Sequence, residues 1–247
     1  MTTARRQAWP PVSVILIVLA ALAGAAALAS LGVWQLHRLQ WKLGLIERVE
    51  QRLAADPVAA PPPSDWPAVA AQSSEYLKVR VAGHFQHEKE TLVQAVTDLG
   101  SGYWVLTPLV TGDGSTVLVN RGFVTPDKRQ PSTRISANVS EAANVTGLLR
   151  ITETGGAFLR NNDPNGDRWY ARDVSAIAAV RDLRHVAPYF IDADATKSPG
   201  GWPVGGLTRV QFTNHHLIYA MTWFTLALMT LAAAGYVLRD WWRRSRY

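Results

Sequence analysis

VSVILIVLAALAGAAALASLGV, residues 12–33, and LIYAMTWFTLALMTLAAAGYVL, residues 217–238, contain no charged side chain. At ~1.5 Å per residue each run makes a helix of roughly 33 Å, enough to cross a hydrocarbon core of about 30 Å. A buried core helix is the competing reading of any one apolar run. Two such runs at the two ends of a 247-residue chain exceed what one domain hides, so both are expected to span a membrane. They divide the chain into a tail (residues 1–11), a first span (12–34), an amphipathic extension with a Pro-rich linker (35–67), a β-rich domain (68–213), a second span (214–238) and a basic tail (239–247).

The net charge of +6 sits almost wholly at the ends. Arg5, Arg6, Arg239, Arg243, Arg244 and Arg246 face a single tail acid, Asp240, so the tails hold +5 of it. Basic residues beside a span set orientation and meet anionic lipid headgroups. The remainder is close to neutral and carries no basic stripe, which argues against a nucleic-acid partner. The chain has no cysteine, which excludes disulfides, thiolate zinc sites and thiol-based copper transfer.

Orientation is clearest at the second span, where the arginines follow it closely and only Lys197 and Arg209 shortly precede it. The positive-inside rule then places both termini in the cytoplasm and the central domain outside, a periplasmic domain of a bacterial inner membrane. At the first span Arg38, Lys42, Arg48 and Arg52 oppose Arg5 and Arg6, but charges of a long translocated domain count for little. Ala27-Leu28-Ala29 also resembles a signal cleavage site. The apolar run is longer than a signal core of about 7–15 residues, and its many alanines suit close helix packing, so a retained span is expected. The start carries no long Arg- and Ser-rich transit segment, as expected of a bacterial rather than a mitochondrial form.

Between the spans, Leu36, Leu39, Leu43, Ile46, Val49 and Leu53 keep helical spacing among charges, and Pro57 through Pro67 reads as a stiff linker. Strands are expected at Tyr76–Val81, Thr91–Val96, Tyr103–Val110, Thr116–Val124, Val145–Ile151, Trp169–Ala171, Tyr189–Ile191 and Thr208–Phe212. Thr111-Gly112-Asp113-Gly114 reads as a hairpin turn and Gly122 as a bulge or close backbone approach. Asp173 is positioned to cap a short helix running through Val180 to Leu183. The fold class is therefore two transmembrane helices flanking an α+β domain, mostly antiparallel β, as a sheet or a partly closed barrel.

His84, His87 and Glu88 match no standard zinc spacing, since strand residues three apart point to opposite faces. A polar turn is the simpler reading, and a periplasmic metallohydrolase rests on this cluster alone. No Gly-x-Ser-x-Gly elbow, phosphate loop or dinucleotide fingerprint occurs, so no enzyme is expected. In the second span His216, Tyr219, Ala220 and Trp223 fall on one helical face. One reading is an aromatic belt anchoring the span. The other is a haem site, with imidazole as axial ligand to the iron, aromatic rings against the porphyrin and alanine leaving room. Trp34, Arg38 and Trp41 make a matching face on the first span, as interface anchors or as partners for haem propionates if the two helices pair.

Trp34-Gln35 with Arg38 and Trp41-Lys42, Gly83-x-Phe85, Thr107-Pro108-Leu109, Val119-Asn120-Arg121-Gly122-Phe123-Val124 and Asn162-Asp163-Pro164 occur in order. Trp169-Tyr170, Arg172-Asp173 and a last block from Pro203 to Trp223 follow. This ordered set, with its two-span layout, resembles the surfeit locus protein one family. The resemblance implies an assembly factor for haem–copper (cytochrome c) oxidase that binds haem a transiently, assists its insertion into subunit I, and meets haem-a synthase as a possible partner. It implies His216 as iron ligand, with Tyr219 and Trp223 in the same motif. His215 departs from the pattern as a second imidazole about 100° around the helix. A scaffold that stabilises an oxidase intermediate without touching haem remains the alternative.

Overall fold

The computed structural model describes residues 11–137, 142–155, 160–196, 199–208, 210 and 212–245. Arg5, Arg6, Lys197, Arg209 and Arg246 lie outside the described residues. In chain order the elements are α1 (Val12–Ala54), β1 (Val58–Ala59), α2 (Ala71–Ser74), β2 (Lys78–Phe85), β3 (Thr91–Thr97) and β4 (Gly100–Thr111). They continue with β5 (Thr116–Val124), β6 (Ala143–Ile151), α3 (Val174–Val180), β7 (Val186–Ala193) and α4 (His216–Arg244). The chain forms two units, one of residues 1–47 with 211–247 and one of residues 48–210.

The first unit is a helix pair. Both α1 and α4 are long and apolar enough to cross a membrane, which supports a membrane protein. Pro11 precedes the first turn of α1, where its missing N–H costs nothing, and its carbonyl accepts from Val14 N at 2.9 Å. The helix runs unbroken past the apolar run to Ala54 and stops ahead of Pro57, whose ring disfavours helical backbone just before it. On α4 the buried residues are Ala220, Ala227 and Ala234, seven apart, the repeat that keeps one face on a neighbouring helix. Their counterparts on α1 are Ala25 and Gly32, also seven apart. A Cβ at Gly32 would lie 2.7 Å from the Phe224 ring, so only glycine admits this approach. In a membrane, small residues at a seam allow the close van der Waals contact that replaces the hydrophobic drive.

The second unit is a closed barrel. Strands β2, β6, β7, β5 and β4 are neighbours in that order, and β4 returns to β2 through Gly83↔Thr111, His84↔Val110 and Phe85↔Leu109. The 12-residue β4 divides its second edge, giving Leu109–Thr111 to β2 and Gly100–Leu106 to β3. Strand β1 adds to β2 in parallel, and β5–β7 is also parallel, so the barrel closes with mixed rather than wholly antiparallel pairing.

Closure gives the strands two buried faces. Val79, Val81, Val117, Val119, Ala187, Tyr189 and Ile191 fill one core. Leu118 and Phe190, on the alternate faces of β5 and β7, pack with Val93, Leu106, Trp169, Val174 and Ile177 in a second core. Every residue of β5 is buried, Thr116, Asn120 and Arg121 included, so the strand has no solvent-facing side. The hairpin turn lies where expected, with Thr111 Oγ1 donating to the Asp113 carboxylate. Gly122 has φ +132°, and a Cβ there would meet the Val204 carbonyl at 2.2 Å. This is the expected close approach: Phe123 and Val204 exchange two backbone hydrogen bonds of 2.9 Å.

Three expectations are corrected. The first strand begins at Lys78, because Tyr76 takes a positive φ of 61°. The Trp169–Ala171 stretch is a single bridge to Val93, with Asn162 Oδ1 accepting from the N–H of both Tyr170 and Ala171 in place of a strand partner. Of Thr208–Phe212, residues 209 and 211 are outside the described set, and Thr208, Val210 and Phe212 are not in a strand. Asp173 caps α3 as expected, accepting from Ala176 N at 3.1 Å, though α3 ends at Val180.

A charged network crosses the barrel wall. Asp192, 2% exposed, accepts from Asn120 Nδ2 at 2.7 Å and from Arg150, Arg172 and Thr208 at 2.9 Å each. Arg172 also stacks 4.6 Å from the centre of the Phe190 ring. Four donors on one carboxylate are the condition under which a buried charge is tolerated.

Candidate functional site

The helix pair holds the residues that the sequence singles out. His216 is the first residue of α4 and shares its inward side with half-buried Trp223 and buried Ala220. Gln35, one turn beyond Gly32, belongs to the inward side of α1. The two meet: His216 Nδ1 lies 2.8 Å from Gln35 Oε1. A carbonyl oxygen can only accept, so Nδ1–H is the donor and a neutral imidazole then carries its lone pair on Nε2. The pair adds a polar contact to a seam that includes Ala25, Gly32, Ala220 and Phe224.

The other predicted residues are placed differently. Tyr219 is 55% exposed, Trp34 and Trp41 are 54% exposed, and Arg38 is exposed with its guanidinium 4.9 Å from the centre of the Trp41 ring. At ~100° per residue Trp34 lies about 180° from Ala25, so the Trp34–Arg38–Trp41 face turns away from the seam. Pairing of the helices therefore brings Gln35, rather than Trp34 or Arg38, to His216. His215 is exposed at the helix start and its side chain caps nothing. Just before α4, Phe212 packs under Lys42 Nζ at 5.5 Å, a cation–π contact back to α1.

Gln35 was legible only as part of a motif. The signal that singles it out is its position, three residues after the glycine that the seam requires and ten after Ala25, which keeps it on the inward side. The α4 face opposite His216 carries a shallow apolar hollow of about 460 Å³ lined by Ile218, Met221, Thr222, Thr225 and Leu226.

The barrel unit carries a polar groove of about 670 Å³ between His87, Glu90, Arg129, Asp167 and Arg181. Its charges are largely paired, Asp167 with Arg181 at 2.6 Å and Glu90 with Arg134 at 2.7 Å. His84 is exposed on β2, whereas His87 Nδ1 accepts from Arg121 at 3.1 Å, so the two histidines do not converge. Burial pushes the Arg121 guanidinium down to about 10. Among the described residues no three histidine, aspartate or glutamate side chains gather to hold a metal ion.

A model of the SURF1 family matches residues 22–228. Surfeit locus protein 1 of Homo sapiens is 38% identical over 217 residues, covering 81% of this chain and 70% of the human one. The Mus musculus protein of the same name is 39% identical over 216 residues, covering 81% of this chain and 68% of its own. A SURF1-like protein of Monosiga brevicollis is 36% identical over 228 residues, covering 87% of this chain and 85% of its own. The match takes in α1 from residue 22, the whole barrel and α4 as far as residue 228, and the chain belongs to the SURF1 family, the cytochrome oxidase assembly factors.

Proposed function

We propose that this chain binds haem a through His216 in the helix pair and assists its insertion into subunit I of cytochrome c oxidase. Family membership supports the assembly role. The observation that carries the haem reading is the His216–Gln35 hydrogen bond, which holds an imidazole with its lone pair on Nε2. The donor set fits the group: a half-buried imidazole beside a small residue, with the Trp223 and Tyr219 rings on the same stretch of α4. Haem iron, when bound, would supply a Lewis-acidic centre for which imidazole is a suitable ligand.

His216 would hold the iron, and Trp223 and Tyr219 would pack on the macrocycle. Trp34 and Arg38 lie on the face of α1 turned from the seam, so neither is assigned a contact with a haem held by His216. Arg38→Ala is accordingly expected to leave haem retention unchanged. One protein ligand suits a carrier that must release its cargo. Both termini are read as cytoplasmic and the barrel as periplasmic, in a bacterial inner membrane, with the barrel serving as the docking surface for subunit I or haem-a synthase.

The test is the absorption spectrum of detergent-purified protein co-expressed with haem-a synthase, wild type against His216→Ala. A haem spectrum lost in the variant is expected. Wild type purified without haem under these conditions overturns the reading in favour of a scaffold that stabilises an oxidase intermediate. Haem retained undiminished by the variant moves the ligand elsewhere, with His215 the first alternative.

A further inference from the structure

We infer that Gln35 is a positioning residue: it fixes which nitrogen of His216 faces the metal, so that ligand strength is set by the first span as well as the second. This rests on the haem reading above and adds to it a residue with no metal-binding chemistry of its own.

Imidazole has two nitrogens, and in the neutral ring one holds the proton while the other holds the lone pair. Free in water, both tautomers are populated and the ring turns about its bonds. In a metal site the second nitrogen is usually held by a carbonyl or carboxylate, which selects the tautomer, orients the ring and raises the basicity of the ligating nitrogen. Gln35 Oε1, 2.8 Å from Nδ1, has that geometry. A polar side chain in an apolar seam needs a partner, and each of these two satisfies the other.

The surrounding side chains restrict Gln35 in turn. It follows Gly32, whose missing Cβ admits the Phe224 ring, and it lies opposite the turn of α4 that carries buried Ala220. The glutamine reaches the histidine because the helices approach closely there. An outer-shell partner of this type typically contributes about 10- to 100-fold in metal affinity.

The experiment uses the full chain in detergent, with ¹⁵N-labelled histidine, and haem a added to haem-free protein. Wild type is expected to show His216 protonated at Nδ1 and bare at Nε2, the signal being assigned by its absence from His216→Ala. Gln35→Leu is expected to show a tautomer mixture and to weaken haem a binding by roughly 10- to 100-fold. Gln35→Glu, which keeps an acceptor, is expected to restore both the tautomer and the binding. Circular dichroism of each variant controls for loss of the helix pair. A bare Nδ1 in wild type, with haem bound normally, overturns the role of Gln35 and leaves the haem reading standing. Unchanged haem affinity in Gln35→Leu, with the tautomer lost, overturns it equally. Wild type that shows the expected tautomer but binds no haem a overturns both, leaving a hydrogen bond that serves helix pairing alone.

Discussion

The helix pair and the barrel hold themselves together by opposite means. The pair has a narrow seam of alanine and glycine crossed, among the described residues, by the hydrogen bond from His216 to Gln35. The barrel has two packed cores, a strand buried along its whole length, and a carboxylate at 2% exposure accepting four hydrogen bonds. The difference follows from solvent. Lipid tails are as apolar as leucine, so burying leucine between two membrane helices gains little, and close approach of small residues decides. In water, burial of apolar area at ~25 cal/mol per Å² dominates, and a charge is admitted only where its partners are complete.

If that contrast is right, the largest loss of stability comes from the buried carboxylate. Asp192→Ala leaves Arg150 and Arg172 without their shared buried acceptor and is expected to cost roughly 3–5 kcal/mol. Thermal unfolding of full-length protein in detergent, followed in the β-sheet region of the circular dichroism spectrum, measures it. A loss under 1 kcal/mol would mean that the arginines find water or other acids instead.

Gly122→Val is expected next, at about 3 kcal/mol, from strain at a positive φ and from the approach of the Val204 backbone, which has no flexible end to move aside. The same scan shows it. Gly32→Leu, expected to cost about 1–3 kcal/mol by overpacking against Phe224, should act on the other unit. The barrel transition should be unchanged while haem retention falls. A shift of the barrel transition by Gly32→Leu as large as that from Gly122→Val would break the contrast.

Smaller effects sharpen it. Tyr189 donates its hydroxyl to the Pro61 carbonyl at 2.8 Å, tying the linker to the barrel, and burial pushes that hydroxyl up to about 12. Tyr189→Phe is expected to cost ~1 kcal/mol and to speed proteolysis within residues 55–70. At the β4–β5 turn, donation from Thr111 and then from Ser115 holds the Asp113 carboxyl down at about 2 against an ordinary 3.8. A lowered carboxyl stabilises the fold fully above its ordinary value, and the contribution is lost as pH falls from about 3.8 towards 2. Asp113→Asn should flatten that part of the acid titration of stability, with a small loss at neutral pH that vanishes as pH falls towards 2.

Much of this architecture can be read along the chain, because the features that specify it are local. Uninterrupted apolar runs define the spans, Thr111-Gly112-Asp113-Gly114 marks the turn, Asp173 caps α3 three residues before its partner N–H, and the paired glycine and alanine positions repeat every seven residues. His216 stands out for the same reason, as an imidazole at the start of an apolar helix. Chain order alone also carries the family motifs.

What tertiary structure decided is every pairing between distant residues. Barrel closure depends on β4 dividing one edge between β2 and β3, which no local pattern encodes. The Asp192 network joins Asn120, Arg150, Arg172 and Thr208, which stand in separate segments of the chain. On the helix pair, periodicity identifies a face but not which face meets the other helix. The tryptophans and Arg38 make the more conspicuous pattern, yet glycine and alanine form the contact, since only small side chains let two backbones approach closely. That choice, made by packing, put Gln35 rather than Arg38 against the histidine.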